Sequence, residues 1–207
     1  MTIANIAAVL LALTALYGMQ HSTPSYSEVL SPVAVPAAQG KPARTGRFVF
    51  AVAKVHSARE LVVPSLGEPR TYTTSGKWLV IEAAAKAQEQ SVSLTSAEWR
   101  GPSGLRFAMS GRIGGSIGLL GSERLAPGIP GLLGSERLEP GIPRPVLLVF
   151  ELPEDQIESG TLLVAETTVA PLAEQVEIAM HAVLPENRHE SITLARGGRI
   201  MPWMLEF

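Results

Sequence analysis

The chain contains no cysteine. That absence removes disulfides, thiolate nucleophiles, iron–sulfur clusters and every zinc site built on cysteine, so a folded domain here stands on its core alone. Aspartate is nearly as scarce: Asp155 is the only one, whereas oxygen-ligand calcium loops draw on several, which argues against a calcium-dependent adhesion module. Charge is sparse and balanced, with 17 Lys and Arg against 19 Asp and Glu, a net charge of −2 and a pI near 6.1. A nucleic-acid binder would gather its basic residues on one face or element, and no such gathering exists. Arg outnumbers Lys about three to one in a chain rich in Ala, Gly and Pro, a bias that fits a GC-rich bacterial genome more readily than bidentate recognition.

What is present is apolar. With 46% hydrophobic residues in 207, there is material for one core of about 140 to 160 residues plus appendages. From Ile3 to Met19 only Asn5, Thr14 and the Tyr17 hydroxyl interrupt an uncharged apolar or small-residue run, and the first side-chain charge is Glu28. As a helix this stretch with one flanking turn measures about 30 Å, the thickness of the hydrocarbon core. Residues 1–20 are therefore expected to be a membrane anchor; a cleaved signal peptide and a buried core helix are the alternatives, the first weakened by the lack of a small-x-small cleavage site near Leu16–Gly18. Lys41, Arg44 and Arg47 beyond the helix would by themselves favour a cytoplasmic body. Against them stands the common origin of single N-terminal anchors in export signals, which favours an extracytoplasmic one.

Residues 21–46 mix Pro, Ala, Ser and Gly without periodicity and read as a semi-extended linker. From Arg47 the pattern turns to alternation, with Phe48, Phe50 and Val52 on one side of a strand and Val49, Ala51 and Ala53 on the other. Further strands are expected at Glu60–Val63, Lys77–Ala87, Ser91–Trp99, Arg106–Ser110, Pro145–Leu152, Thr161–Val169, Gln175–Leu184 and Glu190–Leu194. Glu82–Gln90 has the composition of a helix, but it follows Trp78–Ile81 directly and reads as that strand continuing into a turn. Many short strands at this spacing indicate an all-β sandwich over residues 47–195, in which Trp78 and Trp99 belong to the core.

Two segments stand out from that pattern. GLLGSERLAPGIP (Gly118–Pro130) is followed at once by GLLGSERLEPGIP (Gly131–Pro143), the copies differing only at Ala126 and Glu139. Two 13-residue copies cannot stack a solenoid; a loop at 118–143 duplicated without function and a binding arm carried by Leu119, Leu120, Leu132 and Leu133 are the two readings. The tail 196–207 ends in Trp203, Met204, Leu205 and Phe207 behind a flexible Arg196–Arg199. So much apolar surface at a chain end must be covered, either by the sandwich itself or by a partner or membrane interface.

Three stretches carry a resemblance. Gly76-Lys77-Trp78-Leu79-Val80-Ile81-Glu82, then Ser91-Val92-Ser93-Leu94, then Leu138-Glu139-Pro140-Gly141 with Val149–Asp155, resemble motifs of a family of bacterial extracellular immunoglobulin-like domains of unknown function. That family occurs on lipoproteins and on secreted or anchored proteins, and is similar in fold to a secreted mycobacterial immunoprotective antigen. The likeness covers roughly residues 48–170. It departs in the duplicated loop, at Ala84–Ala87 and after Val169. It implies an immunoglobulin-like sandwich outside the cytoplasm, and no shared ligand or catalytic residue.

Chemistry is thin. Gly114-Gly115-Ser116-Ile117-Gly118 has the letters of a nucleophile elbow without the following helix that gives the motif meaning. The overlapping Gly-rich run lacks the Lys-Ser/Thr of a phosphate cradle. His21, His56, His181 and His189 lack metal-ligand spacing; His181 and His189 can meet Glu177 and Glu190 across adjacent strands, but zinc wants three or four convergent ligands. No catalytic residue, metal or cofactor is assigned. The expectation is a non-enzymatic, membrane-anchored extracytoplasmic scaffold or accessory subunit that docks on and stabilises an integral-membrane complex, such as an energy-converting one. The alternative is an extracellular immunoglobulin-like module binding a small ligand or cell-envelope polymer, and a Ser116 hydrolase is a third.

Overall fold

In the computed structural model of the chain, which describes residues 3–22, 31–63, 68–114, 131–132, 137–167, 173–194 and 205–206, the alternating stretches become strands of two facing sheets. One helix precedes them, α1 (Ile3–Ser22). The strands are β1 (Val33–Ala38), β2 (Ala43–Arg44), β3 (Phe48–Val63), β4 (Arg70–Ala87), β5 (Val92–Ser93), β6 (Ser96–Arg100), β7 (Arg106–Ala108), β8 (Gly131–Leu132), β9 (Arg137–Leu138), β10 (Arg144–Leu152), β11 (Gly160–Ala165), β12 (Glu174–Met180), β13 (Arg188–Leu194) and β14 (Leu205–Glu206). A short helical turn, α2 (Gly111–Gly114), follows β7. The first sheet runs β1-β12-β11-β6-β7 and the second β14-β13-β3-β4-β10-β8, with β2 also on β3; β5 and β9 form a separate ribbon.

The two sheets share one core. Phe48, Phe50, Val52, Leu79, Ile81, Leu148 and Phe150 of the second sheet pack with Trp99, Leu162, Val164, Val176 and Ile178 of the first, the face-to-face burial that defines a β-sandwich. The expected all-β sandwich preceded by one apolar helix is thus the observed architecture. Both core tryptophans are fully buried and each donates its indole N–H: Trp99 to Gln156 O at 2.8 Å and Trp78 to Tyr72 O at 3.0 Å.

The second sheet is also buried on its other face, where Ala58, Leu61, Trp78, Val80, Leu147, Val149, Ile192 and Leu194 pack with Ile113 of α2 and with Tyr72. This accounts for the unbroken apolar runs Trp78–Ile81 and Val146–Phe150. A strand covered on both sides has no solvent face to mark with polar residues.

Three expectations need correction. The stretch 21–46 is not linker throughout, because Val33–Ala38 pairs in parallel with β12 over six residues and Ala43–Arg44 pairs with β3. Thr45, itself buried, then closes the turn into β3: its Oγ1 accepts from Phe48 N–H at 2.9 Å and its carbonyl accepts from the Gln88 side chain. Next, Phe48 and Val63 bound a single 16-residue strand, not two. Irregularities at Val52/Lys54 and Ala58/Glu60 let β3 turn apolar side chains first to the inter-sheet core and then to the other face. Last, Ser91–Trp99 is split, Val92–Ser93 pairing with β9 and Ser96–Arg100 with β11. The helix-like Glu82–Ala87 is strand, as expected, paired on both sides by β3 and β10.

Candidate functional site

The helix α1 is built from Ala, Leu, Ile and Val with no glycine until Gly18 and no proline, residues that extend a helix at little cost. Thr14, the polar residue at its middle, spends its hydroxyl on the Leu10 carbonyl at 2.8 Å. Apolar side chains occupy every side of the helix instead of one stripe, and none of the stretch Ala4–His21 is buried against the sandwich. It is long and apolar enough to cross a membrane. Near its end the Tyr17 and His21 rings meet edge to face, with centroids 4.3 Å apart.

From Ser22 to Val33 is eleven residue steps, which span at most about 38 Å when fully extended. β1 then joins the edge of the first sheet. Val33 N–H donates to Ala173 O and Gln39 N–H to Ala179 O, so odd-numbered residues of β1 face β12 and even-numbered ones face the edge, which no strand among the described residues covers. Pro36 is even-numbered. Its missing N–H lies on the open side, where it costs no ladder bond and removes a donor from an edge open to strand addition.

A polar cluster interrupts the second sheet beside its outer apolar face. His56 on β3 is opposite Val80 of that face, and Glu82 on β4 is opposite Lys54. The His56 ring is 3% exposed; its Nε2 is 2.9 Å from Glu82 Oε1 and its Nδ1 is 3.4 Å from Nε2 of His189 on β13. The carboxylate thus faces Nε2 of the ring and His189 faces Nδ1. Burial first, then the neighbouring His56, holds the His189 imidazole below its ordinary pKa. His181 and His189, which the sequence allows to meet but gives no reason to pair, lie apart: His181 is exposed, with its backbone N–H bonded to Gln39, while the β13–β3 pairing carries His189 to His56. Among the described residues no group of three or more His, Cys, Asp or Glu side chains forms a ligand set.

At the opposite margin Arg112 of α2 lies over both the Tyr72 and Trp78 rings, at 5.7 and 5.4 Å, and donates to both oxygens of Glu151 and to Thr73 O. Beside it Thr74, Ser75, Gly76 and Glu151–Glu154 line a groove open to solvent. There a hydrogen bond and charge from Lys77 hold the Glu154 carboxyl below the usual carboxylate range.

The residues expected to contact a partner fall largely outside the described set: Leu119, Leu120, Leu133, Trp203, Met204 and Phe207 lie there, as does Ser116. Leu132 stands opposite Leu147 in β8 and Leu205 opposite Leu194 in β14. The second copy of the repeat is used by the sandwich itself. Leu138 is a core residue, Glu139 accepts from Ser91 Oγ at 2.5 Å, and Gly141, at φ 71°, donates to Ala87 O. Glu139 stands at the single position at which the copies differ, where the first copy has Ala126, so the difference supplies a hydrogen bond that alanine cannot make. Sequence reading missed the His56–His189 pair, because residues 133 apart gain proximity only through a parallel strand pairing that leaves no local signature.

No protein-family model and no curated protein sequence matches the chain. Two solved structures are similar to it. One is an uncharacterized β-sandwich protein from Clostridium difficile, with a TM-score of 0.43 and 14% identity over 76% of this chain and 99% of that one. The other is the yjhA protein from Bacillus subtilis, with a TM-score of 0.47 and 18% identity over 68% of this chain and 98% of that one.

Proposed function

We propose that this chain is a membrane-anchored, non-enzymatic scaffold or accessory subunit, with its immunoglobulin-like sandwich on the extracytoplasmic side, where it docks on an integral-membrane complex. The observation that carries the reading is the helix α1. A helix apolar on all sides belongs either in a protein core or across a bilayer, and none of the stretch Ala4–His21 is buried in this protein. An interfacial helix would show one polar face, which α1 lacks. Thr14, with its hydroxyl satisfied inside the helix, suits hydrocarbon, and Tyr17 and His21 suit the headgroup level at the far end.

Reach favours a docked subunit over a module on a long leash. At most about 38 Å of chain separates the helix from β1, so the sandwich stays within roughly its own diameter of the bilayer, facing whatever shares it. The outward orientation rests on the resemblance to extracellular immunoglobulin-like domains and on the usual origin of N-terminal anchors. The test is extraction of the membranes with alkaline carbonate, then gentle detergent solubilisation and isolation of the full chain through an affinity tag. The expected results are retention in the membrane pellet and co-purification of defined integral-membrane chains. Release by carbonate would remove the anchor; recovery as a lone monomer would remove the docked-subunit role and favour the ligand-binding module.

A further inference from the structure

We propose that β5, Ala87 and the edge of β10 away from β4 form one seat for an extended segment of sequence R-L-x-P-G, and that the chain carries two occupants for it. The second repeat copy fills the seat in the described structure. The first copy, Gly118–Pro130, fills it in a register shifted by 13 residues. This holds whatever the role of α1.

The seat asks little of its occupant. Gly131 and Leu132 pair through their backbone with Val146 and Leu147, and Arg137 and Leu138 with Ser93 and Val92, contacts open to any residue that keeps its N–H and C=O. Three requirements are specific. Leu138 buries its side chain in the inter-sheet core, Pro140 bridges to Ala87, and Gly141, at φ 71°, donates its N–H to Ala87 O. That left-handed φ favours glycine. The first copy meets all three, with Leu125, Pro127 and Gly128 at the same offsets. It lacks one contact only. Ala126 stands where Glu139 accepts from Ser91 Oγ, and a single hydrogen bond of that kind sets a ratio of about 2- to 10-fold between the registers.

The connections allow the shift. In the described register residues 115–130 join α2 to β8 and residues 141–143 join the seat to β10; in the shifted one, residues 115–117 and 128–143 do so. A long and a short connection trade places, so closure entropy is nearly unchanged. The short link has little to span. Ser110 N–H bonds Val149 O on the same edge of β10 at which Gly131 stands opposite Val146, three residues or about 10 Å along the strand. Ile113 packs in the apolar cluster that contains Leu147 and Val149, which keeps α2 against this margin. The stretch from Gly114 to Gly118 reaches about 14 Å, enough to deliver the first copy. The left-over copy is then joined to the seat beside Ala87 instead of to α2. A partner that grips it at one margin therefore selects one register.

The absence of cysteine makes disulfide capture a clean test. In the full-length chain in detergent, Ser91→Cys is combined in turn with Glu139→Cys, Ala126→Cys or Ser122→Cys and oxidised mildly. Val92 pairs with Leu138 in antiparallel register, which puts the seated position about 5 Å from residue 91, within the span of a disulfide. The expected result is rapid closure to position 139, closure to 126 at most about 10-fold slower, and none to 122, which belongs to the same copy but lies away from the seated position. Closure to 126 no faster than to 122 overturns the proposal. A second measurement needs no thiol. Leu138→Asp ejects the second copy from the core, yet urea unfolding should show the folding constant lowered only about 2- to 10-fold, because Leu125 takes its place. Leu125→Asp combined with Leu138→Asp should lose at least about 100-fold. A single Leu138→Asp as damaging as the pair also overturns the proposal.

Discussion

Replacing Gly160 by alanine puts the packing of the sandwich to a quantitative test. A Cβ at that position would lie 2.5 and 2.6 Å from Cζ2 and Cε2 of Trp99 and 2.8 Å from the Arg100 carbonyl, against a comfortable carbon–carbon approach of about 3.5–4.0 Å. The indole would have to move by about 1 Å. It has nowhere to go, because it is 1% exposed, packed near Phe150 and tied by its N–H to Gln156 O. Overpacking of this kind costs about 1–3 kcal/mol, and straining the buried hydrogen bond adds about 1 kcal/mol. The expected destabilisation is about 2–4 kcal/mol, or a Tm lower by about 5–15 °C for a domain of this size. Trp99→Phe, which removes both clashing ring atoms, should cost a similar amount alone by leaving a cavity and an unpartnered carbonyl. The double variant should be less destabilised than the sum by about 1–3 kcal/mol, the Arg100 clash limiting the recovery. Urea unfolding followed by β-sheet circular dichroism measures all four corners of the cycle. Additivity within about 0.5 kcal/mol, or a negligible loss for Gly160→Ala, would refute the packing argument.

Other expectations follow from single contacts. Pro36→Val should leave stability nearly unchanged but restore an outward N–H on β1, and so produce concentration-dependent self-association in size-exclusion chromatography. Arg112→Ala should cost about 0.5–1 kcal/mol in denaturant unfolding, the Glu151 pair being half-exposed; Arg112→Lys should recover only part, because an ammonium cannot both fork onto a carboxylate and lie flat on the Tyr72 and Trp78 rings. Glu139→Ala, which makes the two repeat copies alike at this position, should cost about 0.5–1.5 kcal/mol in the same assay through the lost Ser91 bond. Deleting residues 3–22 should release a folded, β-rich body into the carbonate supernatant, whereas a body still in the pellet would place membrane affinity elsewhere.

How much of this was legible in the sequence depended on whether the signal was local. The alternation of Phe48, Phe50 and Val52, the burial of Trp78 and Trp99, and the strand hidden in Glu82–Ala87 all follow from residues and their immediate neighbours. Strand β1 did not, because VAVPAA has linker composition and its ladder depends on Glu174–Met180 far downstream. A proline there argues against a central strand, but not against an edge whose free side it faces. The continuity of β3 was obscured by Lys54, His56 and Arg59, polar residues in a strand whose bulges re-aim the chain. The His56–His189 contact was hidden for the same reason as β1, since parallel pairing is settled by tertiary packing and leaves no turn in the sequence to announce it.

The parallel pairing of β1 with β12 also has a mechanical meaning. A load on the helix directed along the axis of β1 would enter the sandwich at Val33. The six paired residues therefore share it in shear, instead of opening one after another as in a zipper. Should that ladder give way, Val33 to Ala38 and the turn behind them would pay out as extra length, and β2 would become the next point of resistance. If the helix anchors the chain as proposed, β1 would act as a force fuse between it and the body, six paired residues that give way before β2 bears the load.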